Sequence, residues 1–480
     1  MAAGGGAVQE DLLTCPICFE VYEEPVLLGQ CGHTYCARCV RAIPRPLRCP
    51  TCRSPFSENT VLPNFALRAL LRERGGAGAS ASPAGSGPPP SAGGAAAAAA
   101  GSWEGEQRTL CRTRSSAGST MDSLRQQGVP AGLAKLLIDE DAEIALRIFL
   151  LDNSGSTAHP DGCIMEERPD GSVIKRHTTR WEEVKQLSLA QASWNVKMGT
   201  PCEFVLLNPA AKGDGLEAGI DFVRVDPEAR EGHQAQLDAL AKMLHGTSPR
   251  GTTPLTDRLK KIYNRISPEA RDLARLGQKI VLVTVTDGLP TSGYHHLSGP
   301  EQQRDLANQL RRLSQDLPVH LVVRLCTDED DVVNFYNSID EEVELQLEVI
   351  DDLESEAKEL YKCCNRWLVY SPLVHRIREG GTFMKLFDLL DERALTPMEI
   401  CLFCNVLLRQ NPDDPPLPTE PKEFVKAVAE KVHSLPKVYN PLRGCMSPPV
   451  LPDEVEYAVF PTKFRRMCGG SNLDIDCCLQ

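Results

Sequence analysis

Four short pairs of cysteine and histidine residues lie between Cys15 and Cys52. Three of the pairs have the spacing Cys-x2-Cys, and one has the spacing Cys-x-His. Their members are Cys15, Cys18, Cys31, His33, Cys36, Cys39, Cys49 and Cys52. Zinc prefers thiolate and imidazole ligands, and eight of them fill two closed tetrahedral sites. Because closed sites leave no position for water, the pattern predicts two zinc ions that are structural and not catalytic.

This segment is too short to fold on the burial of apolar surface alone. Metal binding has to supply the missing free energy, on the order of 10 kcal/mol or more for each zinc. We therefore expect the segment to unfold when its zinc is removed. The alternative is a reduced chain in which many of the 19 cysteines happen to fall here, but chance does not account for four pairs with ligand spacing.

The order of three cysteines, one histidine and four cysteines resembles a RING finger. The resemblance implies a cross-braced fold in which Cys15, Cys18, Cys36 and Cys39 share one zinc. It assigns the other zinc to Cys31, His33, Cys49 and Cys52. Spacing alone permits other pairings. Most RING fingers are ubiquitin ligases that hold a ubiquitin-charged conjugating enzyme, so the resemblance implies a ubiquitin transferase whose acyl chemistry is performed by that bound enzyme, with no catalytic residue in this chain.

Three residues match the positions with which RING fingers contact the conjugating enzyme. Ile17 lies between the first two ligands, Pro50 lies between the last two, and Arg53 directly follows the last ligand. The resemblance implies that Ile17 and Pro50 share an exposed apolar patch. It gives Arg53 the linchpin role between conjugating enzyme and ubiquitin, for which a planar guanidinium that bonds two carbonyl groups is suited. The alternative is that Arg53 is simply solvated.

Composition and the absence of targeting signals limit the classes of protein. The 480 residues have room for about three domains, and 42% hydrophobic with 24% charged residues is typical of a soluble globular chain. A net charge of −13 argues against nucleic acid as a partner, since binding phosphates needs a basic face. Residues 1–10 lack a signal peptide and no apolar run is long enough to span a membrane. We therefore expect a cytoplasmic location, with nuclear or membrane-associated alternatives.

Composition and periodicity predict four parts. Residues 1–74 hold the finger and a following helix, with Phe65, Leu67, Leu70 and Leu71 near helical spacing. This part is similar to the start of the tripartite-motif ligases, in which flanking helices support dimerisation, and a RING dimer is one alternative here. Residues 75–119 are rich in Gly, Ala, Ser and Pro, which is typical of a flexible tether that reaches roughly 35–40 Å. Residues 120–375 are predicted to form an α/β domain, and residues 376–480 a helical C-terminal region.

Residues 120–375 carry polar side chains where predicted strands end. The apolar run 144–151 is followed by Asp152, Ser154 and Ser156, and the run 280–286 is followed by Asp287. Thr253 precedes a predicted helix in the sequence Gly-Thr-Thr-Pro. The carboxyl ends of parallel strands are where open α/β sheets hold their ligands, and hard oxygen ligands suit magnesium or manganese.

These residues resemble the metal-ion-dependent adhesion site of von Willebrand factor A domains. The resemblance implies a doubly wound, Rossmann-like fold in which Asp152, Ser154, Ser156, Thr253 and Asp287 bind the cation. Thr252 stands where the family usually has a second glycine. In that family a partner often completes the coordination with its own carboxylate, so the implied role is docking of a protein substrate. The alternative is a domain with this fold and a purely structural or unoccupied site.

The predicted elements alternate as such a fold requires. Helices are predicted at 179–197, 229–245, 256–275 and 301–315. Strands are predicted at 144–151, 203–208, 219–225, 280–286, 319–326 and 345–350.

Beyond this domain, helices are predicted at 397–409, where Thr396 and Pro397 form a good start, and at 421–433. Cys401 and Cys404 fall inside the first of these helices, which favours a buried helix face over zinc.

The last four residues, Cys477 to Gln480, fit a prenylation signal with Cys477 as the thioether site. One lipid holds a membrane weakly, so a second signal is needed. Lys463, Arg465, Arg466 or an acylated Cys468 could supply it.

The sequence as a whole favours a ubiquitin ligase in which the finger recruits the conjugating enzyme and the α/β domain selects the substrate. The alternative is a non-enzymatic zinc-finger scaffold that gathers partners.

Overall fold

A computed structural model describes much of the chain in two compact units, 1–93 and 94–480. The described residues are 15, 17–18, 21–28, 33–43, 45, 47–50, 54–57, 61–64, 101–103, 109–112, 117–167, 173–211, 216–229, 232–291, 298–340, 347–411 and 414–461.

The N-terminal unit contains a three-stranded antiparallel sheet and one short helix. Its elements are β1 (Pro25–Leu28), β2 (Thr34–Cys36), α1 (Ala37–Arg41) and β3 (Val61–Pro63). The strand order is β2-β1-β3, with Val26 opposite both Tyr35 and Pro63. The side chains of Leu28 and Tyr35 are fully buried in its small core.

The three residues Val61–Pro63, which come before the residues with helical spacing, form a strand. Val61, Leu62 and Pro63 pair with β1, and the backbone N–H of Asn64 donates to the carbonyl of Pro25. A proline at this point lacks the N–H that a helix interior needs, while an edge strand tolerates it. Phe65, Leu67, Leu70 and Leu71 lie outside the described residues.

The large unit is built around a six-stranded sheet. Its strands and those of one hairpin are β4 (Ile144–Leu151), β5 (Gly162–Glu167), β6 (Val173–Thr178), β7 (Cys202–Leu206), β8 (Phe222–Val225), β9 (Lys279–Thr286), β10 (Val319–Leu325) and β11 (Leu347–Ile350). The order in the sheet is β11-β10-β9-β4-β7-β8, and only the β7–β8 pair is antiparallel. β4 is buried along its whole length and β9 beyond its first residue, which explains their uninterrupted apolar sequences. β5 and β6 form the separate hairpin.

Helices cover both faces of this sheet and extend beyond it. They are α2 (Ala117–Gln126), α3 (Ala131–Asp141), α4 (Arg180–Met198), α5 (His233–Gly246), α6 (Leu255–Ile266), α7 (Ala270–Arg275), α8 (Pro300–Asp316), α9 (Asp330–Asp340), α10 (Leu353–Lys362), α11 (Pro372–Glu379), α12 (Lys385–Glu392), α13 (Pro397–Leu408), α14 (Pro421–Val432) and α15 (Pro452–Val459). The core on one sheet face includes side chains of α6, α8 and α9, and the core on the other face includes side chains of α4 and α5.

The elements predicted inside the α/β domain occur at or near the predicted bounds. The strand predicted at 144–151 is β4, and the helix predicted at 301–315 is α8. The helix predicted at 256–275 is interrupted, because the 3-10 turn Ser267–Glu269 separates α6 from α7. Pro268 lies in this turn, and proline disfavours a continuous helix.

The C-terminal helices share one hydrophobic core with α3 and with the end of α4. This core includes Leu133, Trp194, Phe387 and Phe403. The predicted start of α13 is confirmed, since the Thr396 side chain accepts from Glu399 N and the Glu399 carboxylate accepts from Thr396 N. Residues 376–460, which sequence analysis placed in a region of its own, therefore pack directly against the helices of the sheet domain.

Part of the segment that composition assigns to a tether packs against the large unit. Gly101 forms a β-bridge with Phe222 of β8. Trp103 and Leu110 are 3% exposed and belong to the same core as the sheet. The indole N–H of Trp103 donates to the buried carboxylate of Glu203 at 3.4 Å. Single buried residues of this kind cannot be recognised from a composition that is averaged over the whole segment.

None of the helices within the described ranges combines the length and the apolar character that crossing a membrane requires.

Candidate metal centres

Four thiols converge in the N-terminal unit. Cys15 and Cys18 precede β1, Cys36 ends β2, and Cys39 lies in α1. Their Sγ atoms all lie within 4.8 Å of one another, and those of Cys18 and Cys36 are 3.9 Å apart. A tetrahedral zinc with Zn–S bonds of about 2.3 Å places its sulfurs about 3.8 Å apart. The four thiols therefore have the donor type and spacing of a structural zinc site.

The backbone around these cysteines points donors at the sulfurs. The N–H of Glu23 donates to Cys36 Sγ at 3.1 Å, and the N–H of Cys36 donates to Cys15 Sγ at 3.3 Å. Such N–H groups stabilise thiolates and orient metal ligands. Burial raises the pKa of Cys36 to about 11 and of Cys39 to about 12, while backbone donors overcome burial and lower the pKa of Cys15 to about 7. Four adjacent thiolates repel one another, and a divalent cation offsets that repulsion.

Two of the four residues predicted to bind a second zinc are described. Among the described residues, His33 has a buried Nδ1 atom without a hydrogen-bond partner, as a ring nitrogen reserved for a metal would be. The Cys49 thiol is 1% exposed and lies 3.1 Å from the Tyr35 hydroxyl. Cys31 and Cys52 lie outside the described residues.

Two of the three residues predicted to contact a conjugating enzyme, Ile17 and Pro50, are among the described residues. Ile17 is half-buried and packs against the finger's core with Ile43 and Leu47, and Pro50 is exposed. These side chains leave apolar surface accessible near the zinc ligands. Arg53 lies outside the described residues.

The structure brings together the five oxygen-bearing residues predicted to bind magnesium or manganese. Asp152 follows β4 and Asp287 follows β9, while Ser154 and Ser156 flank the start of the 3-10 turn Gly155–Ala158. Ser154 Oγ and Ser156 Oγ are 3.0 Å apart, and Ser156 Oγ donates to Asp287 Oδ1 at 2.9 Å.

Thr253 approaches the same point from the loop before α6. A Cβ atom on Gly288 would lie 3.8 Å from Thr253 Oγ1 and 4.0 Å from Ser156 Oγ. Gly251 has a φ of 77°, and a Cβ there would meet the Asn208 side chain at 2.9 Å, so the loop requires glycine at this position. The Asn208 amide in turn donates to the carbonyl of Thr252 at 2.8 Å. This contact holds the threonine loop against the end of β7.

Two carboxylates are buried side by side at this site. Asp152 is fully buried and Asp287 is 1% exposed. Burial and the neighbouring charge of Asp287 raise the pKa of Asp152 to about 6. The Thr286 hydroxyl donates to Asp152 Oδ2 at 2.7 Å, and the N–H of Ser154 donates to Asp152 Oδ1 at 2.9 Å. Buried oxygen donors with an excess of negative charge fit a hard divalent cation.

Arg180, the first residue of α4, was not predicted to belong to this site. Its side chain is 3% exposed and donates to Asp287 Oδ2 at 3.1 Å. It also donates to both Asp161 carboxylate oxygens, at 2.7 and 2.6 Å, and to Glu329 at 2.8 Å. Burial opposes its charge, but the three carboxylates raise the pKa of Arg180 above its usual value. Its partners lie up to 149 positions away, so no local pattern could have revealed it.

The pair Cys401 and Cys404 does not form a metal site with other described residues. Both thiols are free and at most 4% exposed on α13. Burial raises the pKa of Cys401 to about 11 and raises the pKa of Cys404 well above its usual value. This result confirms the predicted buried helix face. Cys477 lies outside the described residues.

Comparison with known families agrees with the geometry of the N-terminal unit. Residues 15–52 match the family described as RING-type zinc-finger. The N-terminal unit is therefore a RING-type zinc finger, and its four-cysteine cluster is a zinc site of that class.

Named relatives share this finger. E3 ubiquitin-protein ligase RNF166 of Homo sapiens is 50% identical over 62 residues, which cover 12% of this chain and 26% of the relative. Tripartite motif-containing protein 59 of Homo sapiens is 37% identical over 82 residues, covering 13% of this chain and 20% of the relative. E3 ubiquitin-protein ligase TRIM31 of Mus musculus is 36% identical over 66 residues, covering 13% of each chain. The chain thus spans about a quarter or less of the length of these relatives.

Proposed function

We propose that this chain is a RING-type ubiquitin ligase. The observation that carries the proposal is the cluster of four thiols inside a segment that matches the RING family. Relatives that share the segment are named E3 ubiquitin-protein ligases. The finger recruits a ubiquitin-charged conjugating enzyme, and the sheet domain docks the protein to be modified.

The mechanism assigns binding and orientation to this chain. Ile17 and Pro50 provide the apolar contact with the conjugating enzyme, and Arg53 bonds carbonyl groups of that enzyme and of ubiquitin. The thioester is thereby restricted to orientations that a substrate amine can attack, which accelerates the transfer without a catalytic residue in the finger. Two zinc ions supply the rigid fold. One is held by Cys15, Cys18, Cys36 and Cys39, and the other by Cys31, His33, Cys49 and Cys52.

For the sheet domain we propose a von Willebrand factor A-like fold with a magnesium or manganese site for substrate docking. Helices on both faces of a mostly parallel sheet support this proposal. So does the convergence of Asp152, Ser154, Ser156, Thr253 and Asp287 at the carboxyl ends of two central strands. A carboxylate of the substrate would complete the coordination of the cation. The ligase proposal does not depend on whether the finger acts as a monomer or as a dimer.

A reconstituted reaction tests the ligase activity. With activating enzyme, a panel of conjugating enzymes, ubiquitin and ATP, we expect the full chain to assemble ubiquitin polymers. Ile17→Ala and Arg53→Ala should each lower the initial rate by about tenfold or more, because each removes a contact that orients the thioester. Immunoblotting for ubiquitin measures the rate.

The matched control is Arg41→Ala, which removes an arginine of the same finger whose side chain is 75% exposed and pairs with Glu24. Its rate should equal that of the unchanged chain. Zinc content has to be equal in all variants. If no conjugating enzyme supports the reaction, the ligase proposal fails, and the finger is better described as a scaffold that gathers partners.

We also propose that Cys477 is prenylated and that the protein is cytoplasmic with a membrane-associated fraction. Cys477→Ser should move that fraction into the soluble pool, because a farnesyl group contributes apolar burial that the hydroxyl does not. Cell fractionation measures the shift, and Cys478→Ser, which keeps the thioether position, is the control. If Cys477→Ser leaves the distribution unchanged, this proposal is wrong.

A further inference from the structure

A cavity of about 500 Å³ lies between the end of α10 and the turn 441–444 that joins β12 (Val438–Asn440) to β13 (Cys445–Ser447). Its volume is within the range of about 300–1,000 Å³ found for ligand sites. Leu368 on its floor pairs with Val450, and the N–H of Val369 donates to the carbonyl of Pro449. The floor is therefore fixed by backbone hydrogen bonds. The residues of the candidate magnesium site are not among those that line this cavity.

Positive charge is concentrated around the cavity. Four cations and one carboxylate line it: Lys358, Lys362, Arg366, Arg443 and Glu454. Lys358 pairs with Glu354 at 2.8 Å. Within the described part of the chain, Lys362, Arg366 and Arg443 have no carboxylate at ion-pair distance, and all three are exposed. The side chains that line the cavity therefore carry a net positive charge, whereas the chain as a whole has a net charge of −13.

Apolar side chains lie between these cations. Tyr361 is 49% exposed and Leu442 is 42% exposed, so two large side chains present apolar surface at the same cavity. The guanidinium of Arg366 lies 4.2 Å from the centroid of the Tyr361 ring, which holds the ring in place. Leu368 and Leu451 continue the apolar lining toward the floor. The cavity thus offers an apolar interior with a cationic rim.

We propose that this cavity docks an acidic segment of a partner protein. One apolar side chain of the segment enters between Tyr361 and Leu442, and flanking carboxylates pair with Lys362, Arg366 and Arg443. Charge complementarity selects this occupant, since cations without a carboxylate at ion-pair distance attract carboxylates and steer their approach. A nucleic acid fits less well, because Glu454 lines the same cavity and an apolar floor offers nothing to phosphates. Use of this surface for substrate selection rests on the proposed ligase function, whereas binding itself does not.

Fluorescence polarisation with the full chain tests the proposal without ubiquitin. The probe is a labelled peptide of glutamates around one leucine. We expect saturable binding that weakens about tenfold when both Lys362→Glu and Arg443→Glu are introduced, since two rim cations become repulsive. The matched control, Lys260→Glu with Lys422→Glu, makes the same change of net charge at exposed positions elsewhere and should leave the affinity unchanged.

The apolar contact has its own pair of variants. Leu442→Ser should weaken binding of the probe, while Leu276→Ser, at a leucine that is 54% exposed after α7, should not. A peptide with glutamines in place of glutamates should bind more weakly than the probe. Equal binding of the two peptides, or equal loss in the rim and control double variants, would overturn the proposal. The proposal would also fail if a thymidine oligonucleotide bound to the chain through Lys362 and Arg443 while the acidic peptide did not bind. Unchanged thermal unfolding identifies each variant as folded.

Discussion

Cys36→Ser is expected to remove zinc from the N-terminal unit and to unfold it. Cys36 Sγ is 3.9 Å from Cys18 Sγ and accepts from the N–H of Glu23, so its loss disrupts both the ligand set and a contact that orients it. The finger has only a small core of its own, and each structural zinc contributes on the order of 10 kcal/mol. Zinc per chain by atomic emission should fall by at least one ion, and limited proteolysis should cut within the finger.

The control for this prediction is Cys163→Ser. Cys163 is a free, half-buried cysteine of the β5–β6 hairpin, and its replacement leaves the finger intact. Ubiquitin assembly should be abolished by Cys36→Ser and retained by Cys163→Ser. A Cys36→Ser chain with full zinc content and a protease-resistant finger would contradict the assignment of this thiol as a ligand.

Arg180→Leu is expected to destabilise the large unit by about 3–5 kcal/mol in the absence of divalent cations, the usual cost of leaving a buried charge without its partner. The charge left behind is that of Asp287, whose side chain has no exposed surface. Asp152 lies close enough to repel it, as its raised pKa indicates. Magnesium should recover part of the loss, because a cation bound only to the folded chain stabilises it by about 2.7 kcal/mol at 100 times its dissociation constant. Thermal unfolding with and without magnesium measures both effects.

A second buried arginine gives the matched comparison. Arg324 of β10 is 3% exposed and donates to Glu183 at 2.7 Å and to Glu379 at 2.8 Å. Arg324→Leu should destabilise the unit by a similar amount, but magnesium should not restore it, since these carboxylates lie outside the candidate site. Equal responses of the two variants to magnesium would argue against a cation site at Asp152 and Asp287.

Local sequence was sufficient to predict much of the finger and of the sheet. The short spacing within each pair predicts zinc ligands, because such pairs are set by short-range chain geometry. The assignment of Cys15, Cys18, Cys36 and Cys39 to one zinc came from the resemblance to RING fingers, and the structure brings these four thiols together. The apolar run of β4 and the polar residues after it are likewise a local signal. Once such strands are parallel neighbours, their carboxyl ends must meet at one edge, which is why Asp152 and Asp287 could be assigned to one site before the structure was known.

The features that sequence did not reveal depend on contacts between distant residues. Arg180 reaches Asp287 across 107 positions, and Trp103 reaches Glu203 across 100. Nothing in the residues next to Arg180 or Trp103 indicates these partners. The strand Val61–Pro63 has a related cause, since it takes its conformation from pairing with β1 and not from its own periodicity.

The bridge at Gly101 has a consequence for solubility. β8 is the outermost strand on its side of the sheet. The N–H of Gly101 donates to the carbonyl of Phe222 at 2.9 Å, and the N–H of Phe222 donates to the carbonyl of Gly101 at 3.1 Å. An uncovered outer strand offers its amides to other molecules and so seeds aggregation. Gly101 lies in the segment that composition assigns to a flexible tether, yet by pairing with β8 it prevents strands of other molecules from adding to this edge of the sheet.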